Sequence, residues 1–234
     1  MALSRAARAA GKAVLLEEGP PLSLAELDQL DEGDTGDGTP IGMVLPLRGL
    51  LSLDHAITRI PWTASACGGL LVSAFAPDLG PPPDQGPSLR SVPAGARSAS
   101  RAALDAVGPY LDFVCQLFGE PVAAHVGGLG TGVAAGSVEF ASGARLSLTV
   151  TVRSVIENAQ LRLTSTERSV LVQGRELRVE DASGVVLYPV LPLSELRMSS
   201  YRDMARALRS GPATVRHSPE STRAMARCLA LLQA

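Results

Sequence analysis

The clearest pattern in the chain is RLSLTVTVR, Arg145 to Arg153, where apolar and polar positions alternate strictly. Leu146, Leu148, Val150 and Val152 share one face, and Ser147, Thr149, Thr151 and Arg153 share the other. A period of two predicts a strand with one buried face and one face that is wet or covered by a partner. Shorter runs predict further strands at Gly136–Phe140, Gln160–Thr164, Ser169–Gln173, Glu176–Val179 and Val185–Val190. Helical spacing takes over elsewhere. Leu104, Val107, Leu111, Val114, Cys115 and Phe118 predict a helix from about Ser98 to Phe118, stopped by Gly119. Two closing helices are predicted, one over Leu193–Arg209 and one capped by Ser218 with Pro219 in its first turn. Residues 98–234 therefore read as a mixed or antiparallel open-faced β-sheet with helices on one face, an α+β arrangement.

Upstream, residues 1–76 alternate short apolar strands with helices, in the manner of an α/β segment. Ala13–Leu16 predicts a strand, and Ser23 with Glu26 three residues on predicts a capped helix start. A second strand is expected at Ile41–Leu47, a helix at Leu51–Arg59, and a strand at Leu70–Ala76 after the Trp62 region. Residues 77–97 are rich in Pro and Gly and read as a long loop or lid. Asp31 to Pro40, DEGDTGDGTP, has the aspartates of a calcium loop but not its closing bidentate Glu, so a solvated turn is expected.

Composition narrows the function classes. With 46% hydrophobic residues and a formal charge of −2, the 234-residue chain can bury one full core and a smaller lobe. Its longest apolar runs, such as Gly68–Ala76, stop well short of the roughly 20 residues of a membrane span. The N-terminal arginines sit in an amphipathic helix rather than before an apolar run, so the expectation is a cytoplasmic protein. Of 21 basic residues only Lys12 is a lysine; they are scattered, and just eight aromatic residues accompany them. Neither a phosphate-tracking stripe nor a stacking platform is present, which excludes a nucleic-acid partner. Cys67, Cys115 and Cys228 lie far apart in apolar surroundings and read as buried thiols. His55, His125 and His217 fall in unrelated elements, and no metal site is expected. GTGVAAG, Gly130 to Gly136, leads into a strand rather than a helix and so fails as a dinucleotide fingerprint.

Five stretches in order resemble the Gfo/Idh/MocA oxidoreductases. GKAVLLEEGPPLSLAE resembles the GKHVLxEKPLAxTxxE segment that closes that family's nucleotide-binding domain. ALDAVGPYLDFVCQLFGEP resembles its LxDxGxHxxDxxxxLxGEP helix. VEFASGARLSLTVTV is similar to a strand pair, LRLTSTERSVLV to a hairpin, and the stretch from Ala207 onward to the last helices. The resemblance implies that residues 1–76 are a remnant of the nucleotide-binding lobe and 98–234 a substrate and dimerisation domain. It also implies that the glycine fingerprint would precede the first residue, so no cofactor is expected to bind.

The resemblance further implies that the Lys of E-K-P and the His of D-x-G-x-H handle the proton. Glu18 stands at the Lys position and Gly19 at the Pro; Tyr110 stands at the His, and Ala106 at the Asp with Asp105 beside it. Replacing an ammonium by a carboxylate and an imidazole by a phenol of ordinary pKa about 10 removes that proton chemistry. The expectation is a cofactor-independent enzyme, a cyclase or isomerase closing a ring in a polyketide-like metabolite. Its catalytic candidates are Glu18, Tyr110 and Asp105, and its substrate-binding candidates Glu17, Arg48, Trp62, Tyr201 and Arg153, with Glu157 weaker. A small-molecule substrate and a homodimer through the C-terminal sheet are expected. The alternative is a non-catalytic partner subunit of a full-length dehydrogenase.

Overall fold

The computed structural model describes residues 2–17, 23–32, 39–51, 53, 57–60, 62–76, 79, 98–189, 191–211 and 220–234. Glu18, the 33–38 turn, His55, His217, the Ser218–Pro219 cap and all of 77–97 except Leu79 lie outside these.

An α+β fold results, with two sheets of unequal size. The small one pairs β1 (Val14–Leu16) with β2 (Ile41–Met43) in parallel, Leu15 opposite Gly42. α1 (Ala2–Ala9) precedes it, and α2 (Leu24–Glu32) starts as the sequence predicts. The Ser23 backbone N–H donates to the Glu26 carboxylate at 2.9 Å, and the Glu26 N–H donates back to Ser23 Oγ at 3.3 Å. β2 is shorter than the predicted Ile41–Leu47. Pro46 has no N–H for a ladder but fits a helix entry, so turns at Leu45 and Pro46 lead into α3 (Arg48–Leu51). Of the helix expected over Leu51–Arg59, the described residues place Leu51 at the end of α3 and Ile57–Arg59 in a 3₁₀ turn.

The large sheet runs in the order β10-β9-β8-β7-β3-β6-β5-β4. β3 (Cys67–Phe75) lies inside it, parallel to β6 (Arg145–Thr151) and antiparallel to β7 (Arg153–Thr164). The sequence grouped this strand with the N-terminal pieces. Its partners begin 78 residues later, a pairing that no local pattern reveals. α4 (Ala99–Phe118) crosses from β3 to the far edge, where β4 (Pro121–Gly127), unpredicted, begins a meander through β5 (Val133–Phe140) back to β6. Ser98 caps α4 by accepting from the Arg101 N–H, and Gly119 ends it at φ 85°. β8 (Arg168–Gln173), β9 (Glu176–Asp181) and β10 (Gly184–Tyr188) extend the other side in antiparallel hairpins.

Period-two patterning sorts the faces of this sheet. Leu146, Leu148, Val150 and Val152 are buried, with Leu161, Leu163, Val170 and Val172 beside them, in the core that contains α4. Ser147, Thr149 and Arg162 are exposed on the opposite face. α5 (Leu193–Ser210) packs on β2 and α3, and α6 (Arg223–Gln233) on β4, α4 and α2.

Candidate active site

In open α/β sheets ligands bind beyond the carboxyl ends of the parallel strands. β1 and β2 end at Leu16 and Met43, and the chain closes that edge with α5. The Val44 N–H donates to the Leu16 carbonyl at 2.9 Å, and the next donor, Leu45 N–H, goes to Ser200 Oγ of α5 at 3.1 Å. Close approach is possible because residue 49 is glycine: a Cβ there would meet the Leu196 carbonyl oxygen at 2.8 Å. One position beyond Ser200, Tyr201 donates its phenol proton to Glu17 Oε1, immediately after β1. A carboxylate and a phenol thus share a proton bond at the strand ends, and Glu17 is exposed to solvent.

Arg48 takes a different place from the expected one. Its Nε and Nη2 donate to Asp112 Oδ2 and Oδ1 at 2.8 and 2.6 Å, and Nη1 donates to Ser221 Oγ at 2.6 Å. The Ser221 carbonyl accepts from Arg48 Nη2 at 2.8 Å and from Gln116 Nε2 at 3.2 Å. Both charged side chains are almost wholly buried, 4% and 2% exposed. The guanidinium fork is therefore committed to tying α3 to α4 and to the turn before α6, not to a substrate anion. Trp62 is also a core residue rather than a pocket wall. Its Nε1 donates to the Ile57 carbonyl at 3.2 Å, and its ring lies 5.5 Å from Phe118, which meets Phe140 edge-on at 5.3 Å.

Tyr110 and Asp105 do not converge. Five residues apart on α4, they point about 140° apart around the helix axis. Asp105 is ion-paired with Arg101 at 2.9 Å and faces a shallow hollow between α2, α4 and α6 that includes Ser23 and Gln233. Tyr110 is half-buried against the main core, and burial raises its phenol pKa above 10.0. Arg153, opposite Phe75 at the start of β7, is exposed beside Gly132, and Glu157 is exposed in the bulge between Ser73 and Phe75. Of the described candidates, only Glu17 and Tyr201 are joined by a hydrogen bond. Sequence reasoning missed Ser200, which is buried, because a serine in an amphipathic helix carries no sign of its partner. Among the described residues no cluster of side chains could hold a metal ion, and no helix is long and apolar enough to cross a membrane.

No protein-family model and no curated protein matches the sequence. Solved structures do. UDP-N-acetylglucosamine 3-dehydrogenase GnnA from Acidithiobacillus ferrooxidans superimposes with a TM-score of 0.73 at 17% identity, over 99% of this chain and 72% of that one. A dehydrogenase from Chromobacterium violaceum gives 0.73 at 15% identity, over 98% and 70%. This is the Gfo/Idh/MocA oxidoreductase fold. A 3-ketoreductase from Actinomadura kijaniata, in complex with TDP-benzene and NADP, shares the Gfo/Idh/MocA fold at a TM-score of 0.66 and 12% identity, over 98% and 71%.

The cofactor of such neighbours needs a strand, a glycine turn and a helix whose first amides face the pyrophosphate. Among the described residues, Gly130–Gly136 instead runs into β5, inside the large sheet. The helix after β1 has its own carboxylate, Glu26, at its N-terminus, where a pyrophosphate would meet like charge. The described residues do not fit a dinucleotide.

Proposed function

We propose that this chain uses the Gfo/Idh/MocA fold for cofactor-independent acid–base chemistry, as a cyclase or isomerase of a carbonyl-rich, polyketide-like metabolite. The observation that carries this reading is the Tyr201–Glu17 hydrogen bond at the carboxyl ends of β1 and β2. Glu17 takes a proton from a carbon next to a substrate carbonyl. Tyr201 donates toward the oxygen on which charge develops, and a substrate folded against α5 closes its ring largely through proximity. Glu18, next in the chain, and Tyr110 belong to this proposal by the positions they hold in the motif resemblance. We propose a cytoplasmic location for the protein. Glu17→Gln and Tyr201→Phe, each incubated with a small-molecule extract of the producing cells, should lose at least tenfold in the rate at which one metabolite is consumed. Unchanged consumption by both variants contradicts the assignment.

A second reading is supported by the solvent-facing side of the large sheet, where Thr149 and the 43%-exposed Leu71 lie in register on adjacent strands. There the chain pairs with a second copy, or with a longer dehydrogenase-type chain as a non-catalytic subunit.

A further inference from the structure

Among the described residues β2 has one strand neighbour, β1, so a single edge of it is paired. Successive N–H groups of an extended chain point to opposite edges. The Val44 N–H meets the Leu16 carbonyl, and the Leu45 N–H turns the other way and is accepted by Ser200 Oγ of α5. Ser200 is 1% exposed, so this bond is made away from bulk water. One turn earlier on α5, the Leu196 backbone presses on Gly49 of α3, where a Cβ would meet its carbonyl oxygen at 2.8 Å and its Cα at 3.2 Å. Leu196 and Ser200 are four residues apart, about 6 Å along the helix axis, and lie on the same face. Held at both points, α5 is fixed in rotation and in height over the strand ends.

Tyr201 lies about 100° further round the helix, and its phenol donates to Glu17, the residue after β1. The tyrosine ring projects far from the helix axis, so a small turn of α5 carries the phenol oxygen off the carboxylate. Glu17 is exposed, and water competes for its oxygens. We propose, on the reading of Glu17 and Tyr201 as the reacting pair, that Ser200 is a positioning residue for them: its hydroxyl oxygen, held by the Leu45 N–H, sets α5 so that the phenol meets the carboxylate. Ser200 transfers no proton in this scheme. It supplies alignment, and a misplacement of about 1 Å at a reacting group costs on the order of 100-fold in rate.

The test is fluorine NMR of the protein labelled with 3-fluorotyrosine, with no substrate present. The chain has three tyrosines, and Tyr201→Phe assigns the Tyr201 signal. Glu17→Gln should shift that signal in the otherwise wild-type protein. In the Ser200→Ala background the same change should shift it by less than half as much, while the Tyr110 and Tyr188 signals stay in place and report an intact fold. A merely structural serine would lower the unfolding midpoint and leave the response of Tyr201 to Glu17 whole. Ser200→Cys, which nearly keeps the volume and weakens the acceptor, should reduce the same response, and it serves where the alanine variant does not fold. A full response to Glu17→Gln in the folded Ser200 variants overturns the proposal and leaves the Glu17–Tyr201 pair standing. A Tyr201 signal that ignores Glu17→Gln in the otherwise wild-type protein overturns both.

Discussion

A buried ion pair is costly to build and more costly to break in half. Arg48 and Asp112 are both out of water, and their four oxygen and nitrogen contacts with each other and with Ser221 compensate that desolvation. Asp112→Asn leaves the guanidinium charge buried without its counterion and should cost about 3 kcal/mol in urea unfolding. Arg48→Met combined with Asp112→Leu removes both charges and should recover most of that loss. A double variant as unstable as the single one contradicts this account of the pair. At this scale the sequence was least legible. An arginine after a strand reads as an anion ligand or, more commonly, as a surface residue, and its role as a tie depends on Asp112, 64 residues away. Trp62 is as hard to place from the sequence, since its ring partner Phe118 lies in α4 and meets Phe140 of β5 in turn.

Elements were far more legible, because their signals are local. The capping box at Ser23 and Glu26 needs four consecutive residues, and it forms as its spacing demands. Hydrogen bonds from the Ser23 backbone and side chain hold the Glu26 carboxyl below its ordinary value of 4.5. A folded pKa below the unfolded one gives a contribution that is complete above pH 4.5 and disappears as the pH falls through the lowered value. Ser23→Ala should cost about 1 kcal/mol at neutral pH. Unfolding measured across pH 3 to 6 should show that the deficit of Ser23→Ala relative to wild type shrinks toward acid. A deficit independent of pH contradicts a contribution from the Ser23 Oγ–Glu26 carboxylate bond. The alternating strands were legible on the same local ground, and Arg145–Thr151 buries the face its pattern predicts. β4 was not, because PVAAHVG mixes small residues with no strict alternation and gains its strand form from pairing with β5. β3 was legible as a strand but not in its neighbours, which are set by ladders from far along the chain.

For the whole molecule, motif order carried more information than any motif. Five weak stretches in sequence pointed to a fold that the three solved neighbours named above share over 98% or more of this chain at 12–17% identity. Such identity fixes the fold and leaves the chemistry to the residues present. Those residues put a Tyr–Glu pair at the strand ends and a wet sheet face opposite the core. Native mass spectrometry of the protein purified from its own cells tests the central proposal most directly, because it reads mass, bound small molecule and partner at once. The account predicts a homodimer carrying an organic molecule of non-nucleotide mass, lost from the Glu17→Gln, Tyr201→Phe double variant. A bound nicotinamide, or a complex with a longer dehydrogenase-like chain and no metabolite, would contradict it.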